Sequence, residues 1–104
     1  MKPIALFVVA AAASLSGTAA LAADAQQLLK DKACLACHTL DKKLVGPAYK
    51  EVAAKYRSRK DAEAYLAKKI KEGSTGVWGQ VPMPPNAVSD ADAQTLAKYI
   101  RALK

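Results

Sequence analysis

The sequence predicts an all-α domain of about four helices, interrupted by one long Gly/Pro loop and built around a bound group. Three observations carry this reading. Apolar residues recur at helical spacings of three, four and seven in separate stretches along the chain. The segment from Gly73 to Val88 holds Gly73, Gly76, Gly79, Pro82, Pro84 and Pro85, which exclude a regular helix and disfavour an internal strand. Once a leader is removed, residues 23–104 are few for a core made of side chains alone, so something else should fill the centre.

The leader is residues 1–22. Lys2 supplies a positive start, Ile4 to Ala13 form an uncharged apolar run, and Ala20-Leu21-Ala22 is an A-x-A cleavage signal. That order is the one a secretory signal peptide needs. The alternative, a retained membrane anchor, fits less well because the run falls short of the roughly 20 apolar residues that span a bilayer. An exported chain with no stable membrane insertion is therefore expected.

The chain carries a formal charge of +7, of which the leader accounts for Lys2. A basic surface suits nucleic acid, anionic lipid or an acidic protein partner, and export argues against nucleic acid.

Each helix has local signals. Asp24 is placed to cap the first, with Gln27 at the third position as in a capping box and Ala25, Leu28 and Leu29 on one face. Gly46 and Pro47 break the chain, and Pro47 suits the first turn of a second helix carrying Tyr49, Val52, Ala53 and Tyr56. Ser58 or Asp61 is a cap for a third, in which Ala62, Tyr65, Leu66 and Ile70 share a side before Gly73 ends it. Ser89 with Asp92 marks the start of a fourth, whose stripe is Ala93, Leu96, Ala97, Ile100 and Leu103. Asp90 and Asp92 at its start and Arg101 and Lys104 at its end complement the helix dipole.

Residues 34–38 read Cys-Leu-Ala-Cys-His, the CxxCH pattern of covalent haem attachment. On a helical turn Cys34, Cys37 and His38 share a face, two sulfurs toward the haem vinyl groups and an imidazole toward the iron. A disulfide between cysteines so close would constrain little of the unfolded chain. A thiol oxidoreductase would use the same pair on a βαβ scaffold, which is not visible here. A zinc site wants four ligands, and His38 is the single histidine.

That single histidine also excludes a second imidazole from this chain on the iron. Met83 is the only methionine left after the leader, within Val81-Pro82-Met83-Pro84-Pro85. A soft thioether favours ferrous iron and raises the reduction potential, so Met83 is the expected sixth ligand. The alternative is that Met83 fills a gap in the core.

With these residues in place the sequence resembles the small class I bacterial cytochromes c of the c-551 group, from about Leu28 to Lys104. Three stretches carry the resemblance: Ala33 to His38, Val45 to Lys50, and Gly76-Val77-Trp78-Gly79 running on through Val81 to Ser89. It implies that residues 23–104 form one cytochrome c domain in which four helices surround a single covalent haem c with His/Met ligation and the Gly/Pro loop carries the distal methionine. It further implies that the Pro47 carbonyl accepts a bond from the His38 ring, that Asn86 bonds near the Met83 sulfur, and that Trp78 and Lys69 reach a haem propionate. Trp78 reads equally well as core packing. Lys69 departs from the arginine common at this position, and its ammonium cannot fork two bonds to a carboxylate.

The function implied is that of a monomeric periplasmic one-electron carrier in a respiratory chain, not an enzyme, with acidic redox partners. Lys42, Lys43, Lys68, Lys69 and Lys71 are the basic residues expected around the haem edge, unless they simply form a solvated face. Quinol-oxidising complexes or copper proteins would lie on one side and a nitrite reductase or terminal oxidase on the other. The alternative function is a peroxidase or gas sensor in which Met83 swings off the iron.

Overall fold

In the computed structural model the backbone is described for residues 3–5 and 16–104, with side chains from residue 20 onward in the first helix. Lys2 and most of the apolar run of the expected leader lie outside the described residues. Among the described residues no helix is long and apolar enough to cross a membrane.

Four α-helices appear: α1 (Ser16–Asp31), α2 (Tyr49–Tyr56), α3 (Ala62–Glu72) and α4 (Asp90–Arg101). A 3-10 turn over Cys34–Ala36 follows α1. The described residues contain no named strand, only an isolated antiparallel bridge between Ser74 and Met83. The all-α expectation is met.

Two helix starts differ from the sequence reading. Asp24 is not a cap, because α1 begins upstream at Ser16 and the alanines around it, strong helix formers, carry the helix through residue 24. Gln27 accordingly bonds Asp31 one turn on, at 2.9 Å, instead of closing a capping box. The expected cleavage point after Ala22 falls within this helix.

Pro47 lies before the N-cap Ala48 and not in the first turn of α2. The reason is the pairing of the helix start: Tyr49 N–H donates to Thr39 O at 2.9 Å and Lys50 N–H to Leu40 O at 3.1 Å. These bonds seat α2 against the chain that follows the CxxCH turn and leave the Pro47 carbonyl free.

The remaining ends follow the sequence more closely. Asp61 occupies the N-cap position of α3, but its side chain makes no capping bond and pairs with Arg59 instead. That guanidinium holds the Asp61 carboxyl below its usual range. Gly73 terminates α3 with φ +76° and donates to Lys69 O. Ser89 caps α4 through its hydroxyl, which accepts from Asp92 N–H at 3.1 Å.

The core is a cluster in which Leu29 of α1, Val52 and Tyr56 of α2, Leu66 and Ile70 of α3, and Leu96 and Ile100 of α4 are buried. The α3–α4 pairing is the most extensive, and α4 also packs on α1 and α2. Leu96 is the largest fully buried side chain. Fully burying a side chain of this size gives about 1.5–3 kcal/mol, so the C-terminal helix is the keel on which the others lie.

Candidate haem site

A cleft opens between the helices, the CxxCH turn and the Gly/Pro loop. Cys34, Cys37, His38 and Met83 all line it. The CxxCH turn and the Gly/Pro loop, far apart in sequence, thus meet at one site.

Local geometry explains the CxxCH end. Ala33 adopts the left-handed conformation, with φ 57°, which ends the run out of α1 and starts the tight turn. Within that turn the Cys34 carbonyl accepts from both Cys37 N–H at 3.2 Å and His38 N–H at 3.0 Å. Cys34 and Cys37 are half-buried and are not joined to each other by a disulfide. Burial pushes an unattached Cys34 thiol above its ordinary range. Burial pushes the Tyr49 phenol above its ordinary range.

His38 is buried and held from several sides. Its Nδ1 lies 2.8 Å from the Pro47 carbonyl oxygen. A carbonyl can only accept, so Nδ1 carries the hydrogen and Nε2 of the neutral ring keeps its lone pair. The Tyr49 ring stacks on the imidazole, 4.8 Å between centroids and 18° between planes. Gly46 lies against the imidazole: a Cβ there would stand 2.5 Å from His38 Cε1.

The other end of the site is the loop after α3. Ser74 and Met83 exchange both backbone hydrogen bonds, at 3.0 and 2.9 Å, and so close the loop between them. Pro82, Pro84 and Pro85 are exposed while Met83 is partly withdrawn. Asn86 spends its side-chain amide on the Ile70 carbonyl at 2.9 Å and, more weakly, on Pro84 O at 3.5 Å. A bond toward the Met83 sulfur is not among those Asn86 makes in this structure.

Trp78 and Lys69 also line the cleft. Trp78 packs edge-on to Tyr56, 6.3 Å between centroids, and carries the Lys55 ammonium over its ring at 4.5 Å. Lys69 Nζ stands 5.4 Å from the Tyr65 ring centroid. Of the lysines expected around the opening, Lys43 and Lys69 reach the cleft, whereas Lys68 and Lys71 border a separate depression between α3 and α4, where Lys71 pairs with Asp90.

Several contributors were not singled out as site residues from the sequence. Tyr49, Tyr56 and Tyr65 read as core residues by periodicity, yet they line the cleft. Gly46 and Gly73 read only as helix breakers. Their additional role, the close approach of His38 and Met83, depends on which chain segments fold against them, and nothing local announces it.

The chemistry of the donor set fits a haem c. Two thiols, an imidazole with an available nitrogen and a thioether converge on a cleft whose lining is mainly apolar, as a large apolar macrocycle requires. No cluster of three or more His, Cys, Asp or Glu that would hold a bare metal ion is found among the described residues.

Comparison with known proteins agrees. The family model described as "Cytochrome c" matches residues 22–104. The chain is 56% identical over 104 residues to "Cytochrome c-551" of Pseudomonas aeruginosa, with 100% of both chains covered. It is 60% identical over 79 residues to "Cytochrome c-552" of Hydrogenobacter thermophilus, covering 76% of this chain and 81% of that one. Among solved structures, wild-type Nitrosomonas europaea cytochrome c552 superposes with a TM-score of 0.74 at 59% identity, covering 76% of this chain and 99% of that chain.

Proposed function

Because the chain belongs to the cytochrome c family, as a small class I member of the c-551 kind with covalently bound haem c, we propose that it is a periplasmic carrier of single electrons. The observation that supports this most is the meeting of His38 and Met83 at one cleft. In the proposal Cys34 and Cys37 would form the two thioether bonds, His38 Nε2 and the Met83 sulfur would hold the iron, and cleavage after Ala22 would release residues 23–104.

The haem supplies a one-electron iron couple. The chain's own residues fix its surroundings. Pro47 keeps the hydrogen on His38 Nδ1, so the nitrogen offered to the iron is always the same one. With His38 and Met83 both holding the iron, a substrate would find no open site on it, which suits electron transfer without turnover. Trp78, Lys69 and Asn86 are proposed as contacts around the cofactor, with Trp78 and Lys69 nearest the propionates.

Docking is proposed at the mouth of the cleft. Lys43 and Lys69 supply positive charge there, and the cleft residues Val45 and Val81 are 52% and 67% exposed. An apolar contact within a basic field suits an acidic redox partner that must bind and leave quickly. By its resemblance to the c-551 group the carrier would act as a monomer, delivering electrons to a nitrite reductase or terminal oxidase.

A redox titration tests the ligand assignment. Wild-type holoprotein should titrate reversibly as a single one-electron couple, and Met83→Ala should keep covalent haem at a lower midpoint. An unchanged midpoint in Met83→Ala would remove Met83 from the iron.

A further inference from the structure

We infer that the C-terminal turn of α3, Gly73 with Ser74, is the device that positions Met83, an inference that rests on Met83 being the sixth ligand. Backbone hydrogen-bond donors are scarce around Met83. Proline has no N–H, so across Pro82-Met83-Pro84-Pro85 the single backbone donor is that of Met83. That donor goes to Ser74 O at 2.9 Å, and the Met83 carbonyl accepts from Ser74 N–H at 3.0 Å. Among the described residues, one residue pair thus carries both backbone-to-backbone hydrogen bonds of this proline-framed stretch. The next anchor along the chain returns to the same turn, where Asn86 donates to Ile70 O through its backbone at 3.3 Å and its side chain at 2.9 Å.

Gly73 makes the approach possible. A Cβ there would stand 2.3 Å from Met83 O and 3.0 Å from both Pro84 C and Pro85 N. These are backbone atoms in a stretch stiffened by prolines, so they cannot swing aside as a side chain would. The conformation of Gly73, φ +76° and ψ −176°, is also one that L-residues avoid. Gly76 shares the φ of +76° but has nothing within 4 Å of its would-be Cβ. The two glycines therefore separate backbone strain from contact with the Met83 segment.

The positioning role has a consequence for the iron. Anything that lifts Met83 from the α3 turn weakens its hold as a ligand, without touching Cys34, Cys37 or His38. The test compares wild type, Gly73→Ala, Gly76→Ala and Met83→Ala as holoproteins. The readouts are the far-red methionine-to-ferric charge-transfer band across a pH titration and carbon monoxide binding to the ferrous form. Gly73→Ala should lose the band at lower pH than wild type and bind carbon monoxide at least about tenfold more tightly. Gly76→Ala, which adds backbone strain but no contact with the Met83 segment, should keep the band to the pH of wild type.

If wild type lacks the band, the ligand assignment itself is wrong. If wild type shows it, Met83→Ala loses it and Gly73→Ala holds it to the same pH as wild type, the ligand stands and the positioning role falls. Should Gly73→Ala yield no holoprotein, amide hydrogen exchange in the wild type decides. The Met83 N–H should then be protected to the level of the last turn of α3, and exchange at the rate of an open loop would overturn the inference.

Discussion

Replacing Gly46 by alanine tests how tightly the chain constrains His38. The backbone at Gly46 is not in the left-handed region, so alanine is allowed there on conformational grounds. Taken alone, Gly→Ala at such a position stabilises by about 0.4–1 kcal/mol through the unfolded chain. The folded structure opposes this, since the new Cβ would lie 2.5 Å from His38 Cε1, 2.9 Å from Nδ1 and 3.0 Å from Nε2. Restoring a carbon–carbon contact of about 3.5 Å requires the ring to retreat by roughly 1 Å. The Pro47 carbonyl at 2.8 Å and the stacked Tyr49 ring resist that movement. Overpacking of this kind costs about 1–3 kcal/mol, and losing the Nδ1 bond adds about 1. A net loss of about 2–3 kcal/mol remains, which for a domain of this size lowers Tm by roughly 10–20 °C. Thermal unfolding of the holoprotein, followed by far-ultraviolet circular dichroism, measures it. A Tm equal to or above that of wild type would mean that His38 has room to move and that the packing argument is wrong.

Other expected outcomes are more quickly stated. Cys34→Ala or Cys37→Ala should give little folded protein, because the haem completes a core too small by itself; a good yield of soluble, folded apoprotein would contradict this. Ser89→Ala removes the one bond that caps α4 and should cost about 1 kcal/mol, or about 4–8 °C in Tm; an unchanged melting curve would show that the cap is dispensable. Leu96→Ala opens a cavity where α4 meets the core and should cost about 3–5 kcal/mol, measured by denaturant unfolding. Lys43→Glu and Lys69→Glu should slow electron exchange with an acidic partner, and the difference from wild type should shrink as salt rises; equal rates at low salt would move the docking face elsewhere.

The parts of the fold legible in sequence were those fixed by local chemistry. The stripe Ala93, Leu96, Ala97 and Ile100 has one interpretation at helical spacing, and the Ser89 cap found the partner expected of it. Asp24 misled because its capping pattern is local while the alanines before it extend the helix past it. Pro47 misled because the start of α2 is set by bonds to Thr39 and Leu40, which no local pattern reveals.

The candidate site divides along the same line. Cys34, Cys37 and His38 were legible because they are neighbours on one turn, and Met83 because it is the single methionine outside the expected leader. Gly46 and Gly73 were not, since their role is the absence of a side chain where another segment passes. Asn86 has a partner that no local pattern announces. The resemblance places its amide near the Met83 sulfur, and the structure gives that amide a bond to the Ile70 carbonyl left over at the end of α3.

The claim on which the rest depends is that this chain supplies both axial ligands and leaves the iron closed. The most direct measurement is the absorption spectrum of purified holoprotein, ferric and ferrous, with and without carbon monoxide. The far-red methionine band should be present in the ferric form and the ferrous spectrum should be unmoved by the gas. A missing band together with ready carbon monoxide binding would contradict the account and make the protein a ligand-binding haem protein.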